Sequence, residues 1–159
     1  MDSRYTSVNP PQVEIICAAP ADHTRLVSIW EASVRSTHDF LDPEDIAFYR
    51  DFIVGGALET LEVYCVKVHA EICGFLGLTG DCLEMLFIAP EHFNKGLGTL
   101  LLQFAIGKGI RTLEVNEQNQ AAFNFYQHSG FQITARKPVD GFNKPYPILT
   151  LKLWDSMQK

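Results

Sequence analysis

The stretch EMLFIAPEHFNKGLGTLLL, Glu84–Leu102, decides how this chain is read. An apolar run through Ile88 is stopped by Pro90, and Gly96-Leu97-Gly98 then opens directly into a leucine-rich segment. A strand, a turn and a helix account for that pattern. Glycines at such a turn let a ligand approach the backbone. A helix starting here presents free amides around Lys95–Thr99 and about half a positive charge at its N-terminus. That favours an anion by ~0.3–1 kcal/mol, or up to ~2 kcal/mol when partly buried. A bare structural turn has the same look, so the loop alone settles nothing. Two phosphate loops fail on spacing. The dinucleotide fingerprint Gly-x-Gly-x-x-Gly meets Leu101 at its third glycine. The nucleotide loop Gly-x-x-x-x-Gly-Lys meets Leu102 where Gly107-Lys108 requires a glycine.

Upstream, Glu62–Val68 and Ile72–Leu78 read as strands around a turn at His69-Ala70-Glu71, and Thr79-Gly80-Asp81 leads into a third, Cys82–Ile88. Connections this short demand antiparallel pairing. Further back lies a strand at Val13–Cys17. A helix capped by Asp22 follows, with Leu26, Ile29, Trp30 and Val34 on one face. It runs out near Ser36–Asp39. A second helix has Asp42 as cap, Pro43 in its first turn and Gly55-Gly56 at its end. Downstream come a helix over Gly96–Ile106 with Leu97, Leu100, Leu101 and Phe104 on one face, a strand at Arg111–Val115, a helix at Asn119–His128 closed by Gly130, and strands at Phe131–Arg136 and Pro147–Trp154. The glycine-led helix links two strands with enough chain for them to lie parallel. The order β-α-α-β-β-β-α-β-α-β-β predicts an α/β (α+β) fold in a single domain, with a mixed, mostly antiparallel sheet flanked by helices. Residues 1–11, ending in Asn9-Pro10-Pro11, read as a flexible lead-in and residues 12–157 as the domain.

The 159 residues suit one domain, and the net charge of −6 argues against nucleic acid or an acidic membrane as partner. The opening MDSRYTSVNPPQ lacks the apolar centre of a signal peptide, and no apolar run approaches a membrane span. Cys17, Cys65, Cys73 and Cys82 show no Cys-x-x-Cys spacing. They read as small buried hydrophobes in a reducing cytoplasm, with no metal site.

Two segments taken together, EMLFIAPEHFNKGLGTLLL and VNEQNQAAFNFYQHSGF (Val115–Phe131), resemble the GCN5-related N-acetyltransferases, the GNAT family. The family motif is a strand, a Gln/Arg-x-x-Gly-x-Gly/Ala loop, a helix, a strand, and an Asn-led helix with a tyrosine before Gly-Phe. Here the loop is Phe93-Asn94-Lys95-Gly96-Leu97-Gly98, and the second half is Asn119-x-x-Ala122, Phe125-Tyr126 and Gly130-Phe131. The resemblance covers residues 82–131, and the element order extends it over nearly the whole chain. It implies acetyl-CoA as co-substrate, with its pyrophosphate on the Phe93–Thr99 turn, Thr99 included. Backbone amides of Leu86, Phe87 and Ile88 are implied at the thioester, which enters through a splay between the strands. Phe125 and Tyr126 are implied along the pantetheine arm, and Asn119 either joins them there or caps its own helix. Two departures stand out. Phe93 occupies the place of Arg or Gln, and Asn94 that of a frequent Gly. The expectation is a loop that binds mainly through its backbone, with weakened affinity.

Acetyl transfer to an amine sets two problems. A lysine-like amine near pKa ~10.4 is mostly ammonium at neutral pH, and freeing it costs about 4–5 kcal/mol. The departing thiolate needs a proton donor, and a positioned acid or base contributes ~10²–10⁴-fold. Tyr126, implied beside the sulfur, is the candidate acid. Glu84, the one charge in Cys82–Ile88, is the candidate base, with a pKa expected to be raised by its apolar strand. His38 is a second candidate base or a substrate contact. In the family the joint between the first two helices faces the acceptor, which adds Thr37 and Phe40; Asn116 and Tyr146 complete the expected acceptor pocket. The expected function is acetyl-CoA-dependent N-acetylation of a primary amine on a small molecule, peptide or protein. A non-catalytic acyl-CoA-binding module and a toxin acetylating charged tRNA are the competing readings, the second weakened by the acidity. Dimers are common in the family, which leaves a homodimer open.

Overall fold

The computed structural model describes residues 12–154, so the expected lead-in at 1–11 and the last residues of the expected domain lie outside the described residues. The elements follow the expected order: β1 (Val13–Cys17), α1 (His23–Thr37), α2 (Pro43–Val54), β2 (Glu62–Val68), β3 (Glu71–Thr79), β4 (Cys82–Ile88), α3 (Leu97–Gly107), β5 (Thr112–Asn116), α4 (Gln120–His128), β6 (Phe131–Lys137) and β7 (Ile148–Leu153). Single 3-10 turns at Pro20–Asp22, Ala57–Thr60 and Pro90–His92 join them. One sheet runs β1-β2-β3-β4-β5-β7-β6. Only the β4–β5 pair is parallel, because α3 carries the chain back across the sheet between them.

The sheet is covered on both faces. Leu26, Ile29, Trp30 and Ile53 of α1 and α2 pack with Cys65 and Phe75 on one side. Leu97, Leu101, Leu102 and Ala105 of α3 pack with Val66, Leu76, Leu113 and Leu151 on the other. β3 is therefore buried along nearly its whole length, as a strand between two layers must be. His69 and Ala70 both adopt left-handed φ (51° and 67°), the geometry that a two-residue hairpin turn requires.

Several local expectations are corrected. On α3, Leu100 is 38% exposed, and Leu102 and Ala105 take its place in the core. Neither Asp22 nor Asp42 makes a side-chain cap to its helix. The Asp22 carboxylate instead accepts from the Ala19 N–H at 2.8 Å, which winds the chain into a 3-10 turn before α1 begins. Cys65 and Cys73 are buried as expected, but Cys17 is exposed and Cys82 half-buried, because Cys17 ends the edge strand.

Candidate active site

The site begins where pairing stops. β4 and β5 are partnered at Cys82–Thr112 and Leu83–Leu113 and not beyond. From there β4 stays with β3 up to Ile88, while β5 stays with β7 up to Asn116. The strands therefore diverge, and the backbone groups of Glu84–Ile88 that face β5 have no strand partner. The opening is a cavity of about 180 Å³ lined by Glu84, Leu86 and Phe87 on β4, Glu114–Asn116 on β5, and Asn119, Ala122 and Tyr126 around α4. It is continuous in its lining with two others. A groove of about 290 Å³ runs past Phe93, Asn94, Gly98, Ala122 and Phe125. A pocket of about 270 Å³ is walled by Trp30, Leu41, Tyr49, Phe52, Met85 and Phe142. A larger hollow, about 750 Å³, lies between α1 and α2 and contains none of the residues singled out by sequence. Within it Glu31 is paired to both Arg35 and Arg50.

The glycine turn has the geometry of a backbone cradle. Asn94 is left-handed (φ 61°), as is Gly96 (φ 81°), and α3 starts at Leu97. Asn is among the non-glycine residues that best tolerate this conformation, so its replacement of the usual Gly preserves the turn. The Phe93 side chain packs against the α3-side core and supplies no donor. A Cβ at Gly98 meets only Phe125 Cζ, at 3.7 Å. Protein packing therefore does not demand glycine there, and the space beside it belongs to the groove. Leu97 of the same turn is buried in the core, whereas Lys95 and Thr99 are exposed.

Tyr126 divides between core and cleft. Its ring is 9% exposed and packs against Phe125 and Phe131, with centroids 5.1 and 6.0 Å away. Among the described residues no fully enclosed side-chain oxygen or nitrogen lacks a partner, and the Tyr126 hydroxyl has none, so it opens onto the cleft it lines. Burial pushes its pKa well above the ordinary 10, which keeps it a proton donor.

Asn119 does two things at once. Its Oδ1 accepts from Ala122 N–H at 3.2 Å, capping α4, and its Nδ2 lies 3.4 Å from His38 Nε2. The other His38 nitrogen lies 2.7 Å from Thr37 Oγ1. Burial lowers the His38 pKa from 6.5 to about 4, against the opposing pull of Asp39, so the ring is neutral at pH 7. Phe40 packs between His38 and Tyr146, tilted to the first and edge-on to the second, with ring centroids 5.2 and 6.1 Å away.

Glu84 is exposed, on the part of β4 that β5 leaves unpaired. It accepts from Thr79 Oγ1 at 3.3 Å. Tyr146 is placed away from the cleft. It is 5% exposed, its hydroxyl donates to Asp45 and accepts from Asp42 N–H at 3.2 Å, and it ties the β6–β7 connection to the start of α2. Lys144 Nζ reinforces that tie at 2.7 Å from Asp45 Oδ1. Lys144 and Tyr146 together hold the Asp45 carboxyl below its usual range.

The sequence reading missed the aromatic pocket. The Phe142 ring lies 5.1 Å from Phe48 and 4.9 Å from Phe52, and Tyr49 donates to Asp140. The available signal was the turn-rich DGFNKPYP segment, Asp140–Pro147, opposite an α2 with more aromatics than its core face uses. Among the described residues no group of three or more His, Cys, Asp and Glu is arranged to hold a metal ion, and no helix is long and apolar enough to cross a membrane.

Comparison with known proteins agrees with this architecture. Residues 59–133 match the family model described as an acetyltransferase (GNAT) domain. The peptidyl-lysine N-acetyltransferase YjaB of Salmonella typhimurium (strain LT2) is 38% identical over 129 residues, spanning 80% of this chain and 88% of that protein. The solution structure of the apo form of YjaB from Escherichia coli superposes with a TM-score of 0.83 at 32% identity, over 91% of this chain and 99% of that one. The PaiA N-acetyltransferase of Thermoplasma acidophilum, solved in complex with coenzyme A, shares the fold at 22% identity and a TM-score of 0.65, over 89% and 99% of the two chains. By its motifs, its fold and these relatives, the chain belongs to the GNAT acetyltransferase family.

Proposed function

We propose that this chain is an acetyl-CoA-dependent N-acetyltransferase whose acceptor is the ε-amine of a lysine in a peptide or protein. The observation that carries the reading is the splay between β4 and β5. It joins the glycine-turn groove to the aromatic pocket at the point where the Tyr126 hydroxyl emerges. The acceptor class is supported by the peptidyl-lysine activity named for the YjaB relative and by the pocket's aromatic walls, which suit a lysine's methylene stem.

Bound acetyl-CoA supplies an acetyl group activated as a thioester. The first-turn amides of α3, without partners inside the helix, hold the pyrophosphate between Asn94 and Gly98. The unpaired backbone of Leu86–Ile88 donates to the carbonyl oxygen as it gains charge. Glu84, exposed at the cleft edge, takes the ammonium proton directly or through water. The Tyr126 hydroxyl gives its proton to the departing sulfur. His38, Thr37, Phe40 and Asn116 surround the acceptor's path.

The test is thiol release from acetyl-CoA with N-terminally blocked peptides that contain lysine, the same peptides with arginine, and small free amines. Release with the lysine peptides alone is expected. Release with small amines alone overturns the acceptor. Cofactor binding by calorimetry without release on any acceptor favours a non-catalytic acyl-CoA module, and no binding at millimolar concentration overturns the reading altogether.

A further inference from the structure

His38 and Phe87 both line the groove, the cleft and the aromatic pocket, and of the two only His38 can hydrogen-bond through its side chain. What the ring offers them depends on which nitrogen carries the proton, and its neighbours decide that from both ends. At one end, Ala122 N–H donates to Asn119 Oδ1, which turns the amide's NH₂ toward His38 Nε2. Flipping the amide would set NH₂ against N–H, two donors. At the other end, Thr37 has a single hydroxyl hydrogen, and the Ser33 carbonyl accepts it at 2.8 Å. The Thr37 oxygen, 2.7 Å from Nδ1, is left as an acceptor. Both ends require the same ring, with the proton on Nδ1 and the lone pair on Nε2. The opposite tautomer and the imidazolium both put a donor against a donor at Asn119.

We propose that Thr37 and Asn119 are positioning residues that hold His38 as the Nδ1–H tautomer, so that its Nε2 lone pair accepts an N–H of the incoming amine at the junction of the three cavities. The inference rests on the acetyltransferase reading above, and it gives His38 an orienting role in place of a base role. At 3.4 Å the Asn119 contact is long, so an amine N–H displaces it readily. An acceptor fixed on one N–H aims the nitrogen's own lone pair at the acyl carbon. The charged and titratable groups beside the ring or on the cavities it lines are Asp39 next in the chain, Glu84 on β4, Glu114 on β5, Tyr126 on α4, Tyr49 on α2 and Asp140 in the β6–β7 connection. Of these Glu84 is the carboxylate placed to take the ammonium proton, which leaves the ring neutral throughout.

Asn119→Asp separates positioning from capping. Aspartate caps a helix as well as asparagine does, so Ala122 N–H keeps its acceptor, while the donor facing Nε2 becomes an oxygen. Nitrogen-15 NMR of His38 in the full chain is expected to show Nδ1 protonated and Nε2 bare in the wild type, with the proton moved to Nε2 in the variant. This measurement needs no acetyl transfer, so it stands or falls apart from the functional reading. In kinetics, Thr37→Val is expected to lower kcat/KM for a lysine peptide roughly 10²-fold at unchanged KM for acetyl-CoA, with Thr37→Ser restoring it. A wild-type ring protonated on Nε2 overturns the proposal, whether or not the variants fold. So does an Asn119→Asp protein whose His38 tautomer is unchanged, or a Thr37→Ser protein no better than Thr37→Val.

Discussion

At the residue scale, Tyr126 and His38 owe their chemistry to burial. The Tyr126 ring is held by Phe125 and Phe131 while its hydroxyl bonds to no described residue. Tyr126→Phe therefore orphans nothing. It is expected to leave Tm unchanged while kcat falls ~10²–10⁴-fold, read by steady-state thiol release at saturating acetyl-CoA. An unchanged kcat would remove Tyr126 from proton transfer. His38 makes a prediction about stability. Its folded pKa of about 4 lies below the 6.5 of an unfolded chain. Between those values the unfolded chain binds a proton that the folded one refuses, so stability rises with pH through this window and is level above it. The span is at most ~3 kcal/mol at 1.36 kcal/mol per pKa unit. Urea denaturation from pH 4 to 7 should give a flatter stability curve for His38→Gln than for the wild type; parallel curves would contradict the burial argument. In the sequence, Tyr126 stands out through the GNAT motif and His38 through the joint between the first two helices, but neither signal carries the residue's environment. Glu84 shows the gap: its neighbours along the strand are apolar, yet its own side chain is exposed where β5 has parted from β4.

At the element scale, the glycine turn was legible almost residue by residue. Glycine, proline and helical periodicity act over a few residues, so strand, turn and helix emerged in order. What stayed hidden was why Asn94 is acceptable, since a backbone φ is not written in composition. The two glycines of the turn should respond differently to the same substitution. Gly96 is left-handed, so Gly96→Ala is expected to cost ~1–2 kcal/mol in denaturant unfolding. Gly98 is helical with ordinary room for a Cβ, so Gly98→Ala should raise stability by up to ~1 kcal/mol. The family motif accepts Ala here, so a methyl group leaves room for the cofactor; a bulky side chain would fill the groove, and Gly98→Leu is expected to lower acetyl-CoA affinity by calorimetry roughly tenfold or more. Unchanged affinity for Gly98→Leu would place the pyrophosphate elsewhere.

At the scale of the whole molecule, the aromatic pocket proposed for the acceptor has its outer wall because the β6–β7 connection is tied across the start of α2. Asp45 receives both Lys144 and Tyr146, and Asp140 within the same connection receives Tyr49 and the backbone amides of Phe142 and Lys144. Asp45→Ala releases the tie without touching the cleft. The expected outcome is a KM for the lysine peptide raised roughly tenfold with kcat/KM for acetyl-CoA preserved, because the wall carrying Phe142 loses its place. Equal losses for both substrates would show a general loss of structure instead.

The sequence by itself determined the element order, the antiparallel run from β2 to β4, the parallel return through α3 and the residues of the cofactor motif. Each depends on signals a few residues apart or on a short connection that leaves one way to pair. The tertiary structure alone decided where β4 and β5 part and which aromatics wall the pocket beside them. It alone brought His38 to Asn119, 81 residues along the chain. Those features depend on where pairing register and packing end. That is a balance among distant segments, and no local pattern carries it.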